Sequence, residues 1–146
     1  MKEYTYIMVK PDGVRRGLTG EIVKRIQNKG YEIKLFDVRK LEEDIIDVHY
    51  AHLLDKPFYP TLKEFMLSDY VVPMIVYGDN AVQGMRDLMG PTKSSEAPEG
   101  TIRGDFGDKE NVTENVVHGS DSKENALIEI ERFFGLKLNH GKDFKI

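Results

Sequence analysis

The side chains best suited to group transfer cluster in the run Asn115-Val116-Val117-His118-Gly119-Ser120-Asp121-Ser122. With an unperturbed pKa of about 6.5, an imidazole changes charge near neutral pH and is the one side chain here poised for catalysis in that range. Val116 and Val117 suit the end of a strand. Ser120, Asp121 and Ser122, ahead of the apolar stripe Ala126, Leu127, Ile130 and Phe133, suit a helix start. His118 is therefore expected at a strand-to-helix junction, with Gly119 permitting close approach and the helix start offering free N–H groups. A phosphate meeting an imidazole fits such a place, and so does a structural histidine hydrogen-bonded at a turn. The rest of the chain decides between them.

Composition narrows the chemistry. A chain of 146 residues fits one domain, residues 1–146, large enough to bury roughly 70% of its unfolded surface. The absence of cysteine excludes disulfides, thiolate zinc sites and a cysteine nucleophile, leaving hydroxyls, carboxylates, lysines and imidazoles. A net charge of -4 argues against broad nucleic-acid binding while leaving room for a local basic pocket. Met1 leads into polar Lys2 and Glu3 without a signal-like pattern, and no apolar run reaches membrane-spanning length. The expectation is a soluble, cytoplasmic protein.

The elements that would position these groups follow from periodicity and breakers. Tyr4 to Val9 reads as a strand ended by a polar turn at Lys10-Pro11-Asp12-Gly13, and Ile22, Val23 and Ile26 mark a helix from a cap at Thr19 to a stop at Gly30. Tyr31 to Leu41 reads as a kinked or partly exposed strand. Glu42 to Asp55 and about Pro60 to Met66 form a helical hairpin whose tip exposes Phe58 and Tyr59. Val71 to Tyr77 is a strand that Pro73 assigns to an edge or a bulge, and Ala81 to Met89 is a helix. Gly90 to Gly107 is a long polar loop, shaped by Gly100 and Gly104. A fourth strand ends at Val117, and a last helix spans about Ser122 to Phe134. This order predicts an α/β fold: a ferredoxin-like α/β sandwich with a four-stranded antiparallel sheet, covering helices and an inserted helical hairpin.

At Lys10-Pro11-Asp12-Gly13, His49-Tyr50, Lys56-Pro57-Phe58, Thr101-Ile102-Arg103-Gly104-Asp105-Phe106 and Asn115 to Ser122, the chain resembles the nucleoside diphosphate kinases. The resemblance covers nearly the whole length, and the last two segments are highly specific when they occur together in this order. It implies an enzyme that moves the terminal phosphate of a nucleoside triphosphate, typically ATP, to a nucleoside diphosphate by a ping-pong route through a phosphohistidine at His118. By the same resemblance Glu129 holds the other ring nitrogen, and Lys10, Arg86 and Arg103 lie at the phosphates with the Thr92 hydroxyl and Tyr50. Several fixed cations are what a phosphoryl-transfer transition state needs. Phe58 matches the aromatic on which the base stacks, and Lys10 and Asn115 match groups that reach the ribose hydroxyls. Mg²⁺ is expected on the nucleotide phosphates with no direct protein ligand, Asp121 approaching it through water. On residue type alone, Asp121 equally suits a helix N-cap. The implied assembly is a homo-oligomer, a hexamer with a tetramer as the alternative, and neither a membrane nor a specific nucleic acid is an expected partner.

The chain departs from the common family pattern in three places. Gly107 to Glu114 is longer than usual, so Asn115 rather than Asn111 is matched because it keeps its offset from His118. Lys56 stands where arginine is frequent, and Lys93-Ser94-Ser95 follows Thr92 where Asn-Pro is common. Two other readings remain open on the residues themselves. One is a nucleic-acid module on a ferredoxin-like sheet, against which the acidic charge weighs. The other is a metal-dependent hydrolase using His49 and His52, three apart on a predicted helix.

Overall fold

A computed structural model describes residues 1–140; the last part of the tail, residues 141–146, lies outside the described residues. Strands β1 (Lys2–Val9), β2 (Glu32–Phe36), β3 (Val72–Asp79) and β4 (Val117–Gly119) form one sheet in the order β2-β3-β1-β4, with every neighbouring pair antiparallel. Helices α1 (Pro11–Arg15), α2 (Thr19–Asn28), α3 (Glu43–His49), α4 (Tyr59–Leu67), α5 (Ala81–Met89), α6 (Ile102–Phe106) and α7 (Lys123–Phe134) connect and follow the strands. This is the ferredoxin-like α/β arrangement the sequence predicts.

Alternation along the central strands creates two cores. Tyr4, Tyr6 and Met8 project to one face of β1, where they meet Ile46, Leu62, Met66, Ile130 and Phe133 from α3, α4 and α7. Ile7 and Val9 project to the other face and pack with Ile22, Ile26, Met85 and Leu88 of α2 and α5. The inserted hairpin and the last helix therefore cover the face that α2 and α5 leave bare. His118 pairs with Met8 across β1 and β4, which puts its side chain on the α3–α7 face.

Several local readings are corrected. Lys10-Pro11-Asp12-Gly13 is not a plain turn: Pro11 begins α1, where its fixed φ suits the first helical position and its missing N–H costs nothing. Thr19 is the first helical residue of α2 rather than its cap. The long helix from Glu42 stops at His49, and a short 3₁₀ turn, Ala51–Leu53, replaces its second half. The polar loop after Gly90 contains α6, whose start is capped by the Thr101 hydroxyl accepting from Gly104 N–H. β3 is central, not an edge, and the register shift lies at Ile33/Leu35 of β2 rather than at Pro73. Pro73 is tolerated because its carbonyl accepts from Asp37 N–H, on the side where β2 has already ended, so its missing donor lies beyond the regular ladder. Tyr59 is buried, its hydroxyl donating to Asp47 at 2.7 Å, while Phe58 stays exposed. β4 begins at Val117 instead of ending there, which places His118 within the strand.

One glycine joins the fold to the site. A Cβ on Gly13 would lie 2.7 Å from Val9 Cγ1 and 3.0 Å from the Val116 carbonyl oxygen, and that second neighbour is backbone. Gly13→Ala should therefore lower unfolding stability by about 1–3 kcal/mol, read from urea denaturation with an unchanged slope.

Candidate active site

The site is built on a strained turn. Val116 is fully buried and holds φ at 75°, and Val117 N–H donates to the Asn115 carbonyl across it at 2.8 Å. That is a γ-turn centred on a β-branched residue, a conformation costing about 1–3 kcal/mol. It persists because both backbone groups of Val116 are tied to the end of β1. Its carbonyl accepts from Lys10 N–H at 2.8 Å, and its N–H donates to Asp12 Oδ2 at 3.0 Å. The turn aims Asn115 to one side and delivers His118 to the other.

Lys10 is only 6% exposed, and its ammonium donates to the Thr113 carbonyl at 2.7 Å and to Asn115 Oδ1 at 2.8 Å. Burial, opposed by Asp12 and reinforced by Arg103, lowers its pKa to about 8. Asn115 Nδ2 donates to the Thr92 carbonyl at 2.9 Å, so this amide links Lys10 to the segment after α5. Arg103 is buried as well, and its guanidinium donates to the carbonyls of Gly90 at 2.8 Å and Val117 at 2.6 Å. Its pKa falls to about 10 through burial and the proximity of Arg86. These hydrogen bonds of Lys10 and Arg103 go to neutral oxygens, and each side chain keeps a cationic demand that an anion would meet. Lys109 fastens the long segment to α6, donating to the carbonyls of Ser94, Arg103 and Gly104 at 3.1, 3.3 and 2.7 Å.

His118 Nε2 lies 2.9 Å from Glu129 Oε1, and the same oxygen accepts from Ser120 Oγ at 2.5 Å. Burial pushes the Glu129 carboxyl up, but the hydrogen bonds from His118 and Ser120 outweigh it and the net direction is downward. The carboxylate is therefore ionised at neutral pH and draws the ring proton to Nε2, leaving Nδ1 with a lone pair. The His49 ring packs edge-on to the His118 ring, centroids 4.7 Å apart at 82°, and Arg132 Nη1 donates to His49 Nδ1 at 2.8 Å. Burial first, then the charges of His118 and Arg132 against Glu129, lowers the His49 pKa to about 3. Tyr50 meets the other side of His49 edge-on, and burial raises its phenol pKa strongly.

A cavity of about 1000 Å³ opens over these groups, and Lys10, Tyr50, Arg86, Thr92, Arg103, Asn115, His118, Asp121 and Glu129 all line it. Phe58 does not; it stands 53% exposed at the start of α4. Asn111 is exposed and bonded to Glu114 within the loop, so the structure places Asn115 and not Asn111 in the cavity wall. The N-cap of α7 is Ser122, whose hydroxyl accepts from Asn125 N–H, while Asp121 instead accepts from the Asn125 side chain. His49, His118 and Glu129 bring ligand-type atoms within 4.8 Å of one another, a different set from the sequence-derived pair His49 and His52. Arg132 occupies His49 Nδ1 and Glu129 occupies His118 Nε2, so the trio is a hydrogen-bonded array beside a fixed positive charge.

The nucleoside diphosphate kinase family model matches residues 3–138. The chain belongs to the nucleoside diphosphate kinase family. A nucleoside diphosphate kinase of Streptococcus agalactiae serotype III (strain NEM316) is 44% identical over 135 residues, 90% of this chain and 98% of that protein. The crystal structure of the Encephalitozoon cuniculi enzyme, in an apo cubic form, superposes with a TM-score of 0.88 at 35% identity, covering 96% of this chain and 94% of that one. The halophilic enzyme of Halobacterium salinarum, solved in complex with CDP, gives a TM-score of 0.88 at 38% identity, covering 98% and 95%. As a nucleoside diphosphate kinase, the chain transfers phosphate from a nucleoside triphosphate to a nucleoside diphosphate by the phosphohistidine mechanism characteristic of the family, which uses a divalent cation.

Three contributors to this site escaped sequence reasoning. Asp12 reads as part of a breaker, yet it anchors the γ-turn. His49 reads as one of a helical metal pair, yet it packs on His118. Arg132 carries no motif signal, although its place three residues after Glu129 puts both on one face of α7.

The lowered pKa of Lys10 makes stability pH-dependent. Between about pH 8 and 10.5 the unfolded chain holds a proton that folded Lys10 has lost, so this group's contribution to stability rises with pH across that window. The stability of the wild type minus that of Lys10→Met, from urea titrations, should increase through the same range.

Proposed function

We propose that His118 is the phosphoryl carrier, with Nδ1 as the attacking atom. The observation that carries this reading is the commitment of Nε2 to Glu129, in a cavity whose buried Lys10 and Arg103 are bonded to neutral oxygens. Nδ1 attacks the terminal phosphorus of a nucleoside triphosphate, an N–P bond forms, and the P–O bond to the bridging oxygen breaks. That oxygen keeps the electron pair, and the nucleoside diphosphate departs. A terminal phosphate oxygen of the acceptor diphosphate then attacks the same phosphorus and returns the imidazole. Glu129 stabilises the positive charge that develops on the ring and fixes its tautomer.

Lys10, Arg86 and Arg103 bind and orient the phosphates, Thr92 adds a hydroxyl, and Tyr50 supports the ring array from α3's end. Asn115 positions the Lys10 ammonium toward the ribose hydroxyls. The exposed Phe58 ring offers a face on which any base stacks, which suits broad nucleotide use. The Halobacterium salinarum relative was solved in complex with CDP, which supports a nucleotide as the ligand of this reading. The cation of this reading is Mg²⁺. Among the carboxylates lining the cavity, Glu129 is committed to His118, leaving the exposed Asp87 and Asp121, which suits an ion held by phosphates and water, with Asp121 reaching it through water. Bound there, Mg²⁺ supplies neutralisation of phosphate charge.

The enzyme of this reading is cytoplasmic and a homo-oligomer, hexameric by resemblance with a tetramer as the alternative. Among the described residues no helix is long and apolar enough to cross a membrane. The outer edge of β2, with Phe36, Val38 and Tyr70 exposed near it, supplies surface for a second copy, and mass measurement in solution gives the subunit count.

Incubation with ATP labelled in the terminal phosphate, without acceptor, should leave an acid-labile, base-stable label on His118 that GDP discharges. His118→Ala should neither take up label nor turn over; normal labelling of that variant would refute the assignment.

A further inference from the structure

Glu129 stands between two histidines, with a different carboxylate oxygen toward each. Its Oε1 lies 2.9 Å from His118 Nε2, while its Oε2 lies 3.9 Å from His49 Nδ1. A proton on His49 Nδ1 would make that nitrogen a donor aimed at Oε2, and closing the 3.9 Å gap would pull the carboxylate off its alignment with His118 and divide its charge between two rings. Arg132 prevents this. Its guanidinium donates to His49 Nδ1 at 2.8 Å, and since a guanidinium has donors and no acceptor, His49 Nδ1 must present its lone pair and carry its proton on Nε2. Arg132 and Glu129 lie one turn apart on α7, so one helix face supplies both the carboxylate and the group that reserves it.

We propose that Arg132 is a positioning residue for phosphoryl transfer: by occupying His49 Nδ1 it keeps Glu129 committed to His118. The proposal rests on His118 being the phosphoryl carrier. The groups facing His49 are consistent with it. His118 from β4, Arg132 from α7 and His52 from the 3₁₀ turn disfavour a charged His49, Glu129 alone favours one, and the rings of Tyr50 and Phe133 pack edge-on against it. Loss of Arg132 removes both the hydrogen bond and a fixed positive charge. His49 then gains freedom to flip and to protonate toward Glu129 Oε2.

The test pairs a measurement on the unaltered protein with a rescue. In ¹⁵N-labelled wild type, the imidazole spectrum should show His49 as the Nε2–H tautomer with an unprotonated Nδ1; an Nδ1–H signal overturns the proposal whatever the kinetics show. Arg132→Met should slow single-turnover labelling of His118 by about 10- to 100-fold with little change in nucleotide KM, as expected when a reacting group is misplaced while the groups that bind the nucleotide stay in position. Arg132→Lys, which keeps a charged donor, should stay closer to wild type. Arg132→Met combined with His49→Phe keeps an aromatic ring against His118 but removes the competitor, and it should label faster than Arg132→Met alone. Unchanged labelling in Arg132→Met, or no recovery in the double variant, overturns the role of Arg132. Absence of label on His118 in the wild type would instead remove the carrier assignment, so the two failures are distinguishable.

Discussion

The site depends on a valine held where valine does not go unaided. Val116 adopts positive φ because its N–H is bound by Asp12 in the first turn of α1 and its carbonyl by Lys10 at that helix's N-cap, directly after the central strand. The strain is local, but its restraints come from residues more than a hundred positions earlier, so the turn exists only once the sheet has formed. From it follow the placement of Asn115 beside Lys10 and the entry of His118 into register with Met8. One over-determined backbone conformation thus couples the cation, the amide and the imidazole.

Charge is arranged with similar economy. The chain is acidic as a whole, with a net charge of -4, yet it buries Lys10 and Arg103 around a single cavity. Carbonyl oxygens and one amide hold these cations without neutralising them. Their ionisation is disfavoured, as the lowered pKa values of about 8 and about 10 show, and an anion entering the cavity would relieve that unfavourable energy. Desolvation is therefore already in place before substrate arrives, which is the condition under which fixed dipoles and charges act most strongly.

Long periodic stretches were legible in the sequence. α2, α5 and α7 carry apolar stripes that contribute to the two cores, and Tyr4 to Val9 forms the expected first strand. Short elements were not. α1 and α6 are five residues each, below the length at which periodicity shows, and α1 is tied in by the Gly13–Val116 approach. Pro73 argued for an edge, and only the early end of β2 makes a central proline tolerable. At the site, His118, Lys10 and Arg103 were legible through the resemblance of their segments to the family, whereas Asp12, His49 and Arg132 act through partners distant in sequence. No local pattern encodes a hydrogen bond between Arg132 and His49.

The brevity of β4 has a consequence for how the protein fails. β4 is three residues long and pairs only with β1, so the strand bearing His118 has one neighbour where β1 and β3 have two. Few ladder bonds must break to detach it, and the rest of the sheet need not follow. Opening β4 alone would break its short ladder with β1 and the Arg103 bond to the Val117 carbonyl, and it would dismantle the site while the β1–β3 and β2–β3 pairings stay intact. A ligand spanning the cavity from His118 to Lys10 would tie β4 to the end of β1 and so resist that opening.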